Sequence, residues 1–308
     1  MTRQKLSGQP LADDAPARKT DPTDSQRAAA HWQHIKDLGL QAHIAELDVL
    51  GYTVVAPDTI ASGGLGLRIR NAVLDVAERR TGMRPELNYD PKFDDPDVPF
   101  GDHFAYLLFE DPVFVEALLH PVVLTLVTHL LGENAVLSNC LAFIKGPGNA
   151  DLDLHCDNVY VPAPFPAHAL ACNATWLLTD YSRDDGALCF VPGSHQYGRH
   201  PNAGEAIEER VAVDAPAGSL VFWHGNTWHG AYARRNPGVR MNLINAFMRM
   251  YMQPQESYRE HVTQAQLAAH PPRFATLLGQ DVAYGWREDG PDYERLGRHS
   301  GKGQGRWY

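Results

Sequence analysis

Two textures divide the chain. From Ser25 to Leu50, apolar residues recur at Trp32, Ile35, Leu38 and Leu40, then at Ile44, Leu47 and Leu50. A spacing of three to four residues lines one face of a helix, so one or two amphipathic helices are predicted here. Gly51-Tyr-Thr-Val-Val then reads as a short strand, and helical periodicity returns over Leu65–Arg79 and Pro112–Leu131. The stretch between those two, Asn88–Asp102, is dense in Asp and Pro and reads as an irregular loop. Beyond Gly132 the pattern changes to short β-rich runs: Val136–Ile144, Leu154–Val161, Leu170–Tyr181, Ala187–Val191, Ser219–His224 and Val239–Met252. Turn material separates them, including Lys145-Gly-Pro-Gly, Arg183-Asp-Asp-Gly, Pro192-Gly-Ser-His and Asn236-Pro-Gly. Many short strands with such punctuation predict a sandwich or jelly roll.

The expected organisation is a disordered tail over 1–25, rich in Pro, Asp, Ala, Lys and Thr, and then one domain over 26–308. Within that domain we expect a helical part (26–131), a β core (about 132–252) and a partly helical extension (about 253–308) ending in a Gly/Arg-rich stretch. The fold class is mainly β with flanking helices.

Charge and cysteines narrow the partners. The 308 residues carry a formal net charge of −10, which argues against nucleic acid or an anionic membrane surface. No run of about 18 apolar residues occurs, so no membrane span is expected. The first 25 residues lack the apolar segment of a secretion signal. Cys140, Cys156, Cys172 and Cys189 form no CxxC pair and sit in apolar runs, which reads as buried free thiols in a reducing cytoplasm. The oligomeric state is not legible.

Three features carry chemistry. In Leu154-His155-Cys156-Asp157, strand alternation would put His155 and Asp157 on one face, able to share a metal ion. The run Gly218-Ser-Leu-Val-Phe-Trp-His-Gly-Asn-Thr-Trp-His-Gly ends an apolar strand with two histidines, His224 and His229. Either would complete two imidazoles and a carboxylate, a facial set that leaves three coordination positions open. Arg240 lies in the otherwise apolar strand Val239-Arg-Met-Asn-Leu-Ile-Asn-Ala-Phe. A buried guanidinium needs an anionic partner, and a carboxylate suits its paired N–H groups.

The order of these pieces resembles the phytanoyl-CoA dioxygenase family: His155-Cys-Asp157, then Asp185-Gly-Ala-Leu-Cys-Phe-Val-Pro-Gly-Ser-His195, then His229 with Arg240 eleven residues later. The likeness runs from about Leu47 to Met250. It implies a double-stranded β-helix (jelly roll, cupin-like), Fe(II), O₂, and 2-oxoglutarate as co-substrate released as succinate and CO₂. It also implies His229 rather than His224 as the distal ligand, and Arg240 as the grip on the far carboxylate. Family members often carry Ser or Thr two residues after the distal histidine, where this chain has Ala231. Thr175 is the expected substitute for that hydroxyl. His195 is expected to close a turn, His103 and Tyr106 to line the substrate pocket or to be packing residues of a covering segment, and Phe222, Trp223 and Trp228 to be core or rim aromatics.

The reaction expected is hydroxylation, or a related oxidation, of a small molecule. Asp157 argues against halogenation, whose enzymes lack this carboxylate. Asn88–Glu110 is expected to cover the pocket. Its acidic residues disfavour a CoA thioester, and its Phe, Tyr, Leu and Val residues favour a largely apolar ligand. Two alternatives stay open. One is a cupin-type metal enzyme that needs no 2-oxoglutarate, and the other is a jelly-roll binding protein that has lost catalysis.

Overall fold

A computed structural model describes residues 24–60, 63–88, 101–148, 150–280 and 289–291. The tail expected over 1–25 (its last two residues apart), the loop residues 89–100 and the end 292–308 lie outside the described residues. In chain order the elements are α1 (Asp24–Asp37), α2 (Gln41–Leu50), β1 (Tyr52–Val55), α3 (Pro57–Ile60), α4 (Leu65–Thr81), β2 (Asp102–Phe104), α5 (Pro112–Leu118) and α6 (Pro121–Leu131). There follow β3 (Val136–Lys145), β4 (Leu152–His155), β5 (Ala171–Leu177), β6 (Leu188–Phe190), β7 (Val211–Ala212), β8 (Leu220–His224), β9 (His229–Ala231) and β10 (Arg240–Met248). Three short helices close the described chain, α7 (Tyr258–His261), α8 (Gln264–Ala268) and α9 (Pro272–Leu277).

The strands form two antiparallel sheets, ordered β1-β8-β5-β10-β3-β2 and β4-β9-β6-β7. This is the expected jelly roll with flanking helices. Alternation along the central strands sorts the two faces of the larger sheet. Cys140, Ala142, Cys172, Ala174, Trp176, Met241, Leu243 and Phe247 face the helices and join Ile69, Val73, Val123 and Leu126 in the main core. Leu177, Val221 and Trp223 face inward, against Leu188, Phe190 and Ala231 of the smaller sheet. A fully buried large apolar side chain contributes about 1.5–3 kcal/mol, whereas a cap such as Asp111 on the Val113 N–H (2.9 Å) contributes about 1 kcal/mol. The helical layer is therefore held mainly by burial.

Three sequence expectations need correction. The helical run Pro112–Leu131 is two helices, because Pro121 disfavours helical backbone at His120, which caps α6 instead. The strand expected over Leu154–Val161 ends at His155, since the Asp157 N–H leaves the β4–β9 ladder to donate to the Gly225 carbonyl (2.9 Å). And β9 starts at His229, where a turn was expected.

Candidate metal centre

His155 ends β4 and His229 begins β9, and the two are direct cross-strand partners. Their ring centroids lie 4.3 Å apart. Each ring is held the same way: Nδ1 of His155 lies 2.9 Å from the Asp153 carbonyl, and Nδ1 of His229 lies 2.9 Å from the Thr227 carbonyl. A carbonyl only accepts, so each Nδ1 carries the proton and each Nε2 presents its lone pair. Burial pushes the His229 imidazole down to about 4, against the attraction of Asp157, so this ring is neutral near pH 7.

Asp157 reaches the same point by a route that strand alternation did not foresee. It lies past the end of β4, where its backbone is fixed by Gly225. Its Oδ2 accepts from Asn173 Nδ2 (2.7 Å) on β5 and from Trp223 Nε1 (3.0 Å) on β8. Its Oδ1 is left facing His229 Nε2 at 3.5 Å. One donor atom from each of His155, Asp157 and His229 lies within 4.8 Å of the other two. Three ligands on one face of an octahedral ion stand about 3 Å apart at the usual bond lengths of about 2.0–2.2 Å, so small side-chain shifts suffice. The donor set fits a mononuclear metal, with every second donor or acceptor atom already engaged.

His224 stands apart from this cluster. It is buried, its Nδ1 accepts from the Asn226 N–H (3.0 Å), and burial pushes it down to about 3. His195 packs beside it and contacts the Asp48 carbonyl (3.3 Å). A Cβ at Gly51, whose φ is +84°, would come within 2.6 Å of the His195 ring, so this crossing needs glycine. Trp223, expected only as a core or rim aromatic, is a direct support of Asp157. Neither it nor Asn173 could be found by sequence spacing, because β5 and β8 meet Asp157 only in the fold.

Arg240 is buried and inward-facing on β10. It donates from Nη1 to the Gly186 carbonyl (2.6 Å) and lies over the Tyr181 ring at 5.4 Å. Its Nε has no hydrogen-bond partner among the described residues. Thr175, on the same face of the larger sheet as Asn173, is fully buried, and its hydroxyl likewise has no partner among the described residues. Ala231 contributes only a methyl group to this interior. A residue that sequence reading assigned to turn material is also here. Lys145 ends β3 directly opposite Arg240 and is fully buried.

The covering segment differs from expectation. Asp90, Asp94, Asp95 and Asp97, with Phe93, Val98 and Phe100, lie outside the described residues. Phe104, Leu107 and Leu108 are buried in the helix-side core, and Glu110 is paired with Arg79 and Arg80 at 2.7 Å each. Tyr106 packs on Tyr258 and donates its N–H to Glu256 (2.7 Å), while His103 stays exposed beside Phe143.

A jelly roll with two imidazoles and one carboxylate at the end of its smaller sheet offers the donor set of a facial-triad metal site, one able to hold a single ion. Comparison with known proteins gives the family. Residues 69–242, more than half the chain, match the phytanoyl-CoA dioxygenase family, and the chain belongs to it. It is similar to dioxygenase af480 of Aspergillus fumigatus, 31% identical over 155 residues covering 50% of this chain and 49% of that one. It is also similar to phytanoyl-CoA dioxygenase 1 of Oryza sativa subsp. japonica, 26% identical over 149 residues, 43% and 52% of the two chains. The chain thus spans about half the length of these curated relatives. The fold resembles HygX of Streptomyces hygroscopicus, solved with nickel and 2-oxoglutarate (TM-score 0.55, 16% identity, 70% of this chain and 88% of that one). It also resembles the α-ketoglutarate-dependent carbocyclase SnoK from nogalamycin biosynthesis (TM-score 0.54, 18% identity, 72% and 90%). At such identities the likeness concerns the fold. Among the described residues no single helix is long and apolar enough to cross a membrane.

Proposed function

We propose that the chain is an Fe(II)- and 2-oxoglutarate-dependent dioxygenase that hydroxylates, or otherwise oxidises, a largely apolar small molecule. The observation that carries this reading is the convergence of His155 Nε2, Asp157 Oδ1 and His229 Nε2, each fixed from behind by a partner on its other atom. Bound there, Fe(II) would supply O₂ activation coupled to conversion of 2-oxoglutarate into succinate and CO₂. His155, Asp157 and His229 would hold one face of the ion and leave the other face open. Arg240 would take the far carboxylate of the co-substrate through its paired N–H groups. Thr175, with a buried hydroxyl lacking a partner among the described residues, would stand in for the hydroxyl that Ala231 does not supply. The apolar walls Leu188, Val221 and Ala231 would exclude water from the reacting centre.

Support for an apolar substrate comes from Val159 and Tyr160, two and three residues beyond Asp157. They are 65% and 98% exposed, adjacent apolar side chains next to the proposed ligand. A free compound rather than its CoA thioester remains the expectation, although Glu110 no longer argues for it. The test is succinate formation by the Fe(II)-loaded protein with and without 2-oxoglutarate, across matched free and CoA-linked compounds. Substrate-stimulated succinate that depends on 2-oxoglutarate is expected. Oxidation without 2-oxoglutarate would favour another cupin-type chemistry, and stimulation by the thioester alone would overturn the free-substrate reading.

A further inference from the structure

Two buried cations face each other across the β3–β10 ladder. Lys145 and Arg240 are direct register partners, and side chains of directly opposed residues share a face about 5 Å apart at Cβ. That face is the interior one, because Arg240 lies over Tyr181 and donates to Gly186. Both side chains are buried, Lys145 at 0% exposure and Arg240 at 3%. Among the described residues no carboxylate lies within ion-pairing distance of either. Among the described residues the Lys145 ammonium reaches backbone oxygens alone, those of Tyr232 (3.0 Å) and Ala150 (3.4 Å). The nearest acid that attracts it, Asp151, is spent on Arg210 (3.1 Å) and on the Ala233 N–H (2.8 Å).

Burying one ammonium without a counter-charge is costly, and burying it beside a guanidinium costs more. Hydrophobic residues of similar length would fill the same space without that penalty. A pair of buried basic side chains kept on one interior face is explained if an anion joins them. We infer that Lys145 and Arg240 form a two-cation clamp that shares the distal carboxylate of the co-substrate, with Lys145 as a direct binding residue. This rests on the 2-oxoglutarate reading above. Arg240 supplies a planar fork and Lys145 a compact point charge from the neighbouring strand, so the two approach one carboxylate from different sides. A monocarboxylic 2-oxo acid of the same chain length would leave both cations uncompensated, so the clamp also sets the selectivity for a dicarboxylate.

The experiment is anaerobic calorimetry of the Fe(II)-loaded protein, wild type and Lys145→Met, with 2-oxoglutarate and with 2-oxopentanoate, which lacks the distal carboxylate. In the variant, 2-oxoglutarate affinity should fall by about 10- to 100-fold, the range for one charge-assisted contact in a buried site, while 2-oxopentanoate affinity stays level. The melting temperature of the ligand-free variant should hold or rise, because an uncompensated buried charge has been removed. A variant that binds 2-oxoglutarate as tightly as wild type overturns the inference. So does one that melts lower and loses both ligands equally, since Lys145 would then serve only as a strut to Tyr232 and Ala150. Wild-type protein that does not prefer 2-oxoglutarate to 2-oxopentanoate sinks the co-substrate reading itself, whatever the variant does.

Discussion

Asp157 offers a sharp test of how the metal centre is built. Its Oδ2 takes two N–H donors, from Asn173 at 2.7 Å and Trp223 at 3.0 Å, and these leave Oδ1 as the oxygen that the proposed ion would take. Replacing Asn173 with Leu keeps nearly the same shape on β5 and removes one donor. Hydrogen bonds to a charged group contribute about 1.5–3 kcal/mol each. Removing an outer partner of a metal ligand typically weakens metal binding by about 10- to 100-fold, or roughly 1.4–2.8 kcal/mol. Asn173→Leu should therefore raise the Fe(II) dissociation constant by at least about tenfold, measured anaerobically by competition with a chromophoric chelator. Trp223→Phe removes the other donor and should act similarly, with an added loss of packing against Phe190 and His229. Because both donors meet one oxygen, the double variant should lose more than the two single losses combined. Melting temperatures check that the sheets are intact. Fe(II) affinity of Asn173→Leu within twofold of wild type would falsify the view that these side chains orient Asp157.

Other outcomes follow from the same geometry. Alanine at His155, Asp157 or His229 should abolish turnover with little change in circular dichroism, whereas His224→Ala should keep substantial activity; the reverse pattern at the two distal histidines would refute the ligand set. Arg240→Ala should raise the apparent KM for 2-oxoglutarate by on the order of 100-fold and leave Fe(II) affinity nearly unchanged. Burial, then Arg240, push Lys145 down to about 7, with Asp151 and Cys189 opposing. The ammonium is the form that would grip a carboxylate, so 2-oxoglutarate affinity should weaken as pH rises through about 7, and calorimetry of Lys145→Met across the same range should give a flatter profile.

How far the sequence could be read depends on whether a feature is local. The change from helical to strand periodicity near Gly132 depends on neighbouring residues alone, and the helices and most strands appear close to where it predicts them. The proximity of His155 to Asp157 was legible too, but for a different reason than the one that operates. Alternation along a strand requires β4 to continue past His155, and it does not; a backbone bond to Gly225, some seventy residues away, does the work instead. Nothing local in the sequence marks such a bond. Asn173 and Trp223 escaped for the same cause: an ordinary Asn and an ordinary Trp in apolar strands gain meaning only when the larger sheet brings both under one carboxylate oxygen. Lys145 shows how a boundary of one residue can hide chemistry. Grouped with the glycine-proline turn that follows, it reads as a solvated lysine. Counted as the last residue of β3, it falls in register with Arg240 and is forced indoors. The expected roles of Phe104, Leu107 and Leu108 failed in the opposite sense. Apolar residues near a pocket and apolar residues under a helix have the same composition, and here the helix layer claimed them. Strand pairing therefore decides which charges and amides meet at the candidate site, while local pattern decides only that strands are there to be paired.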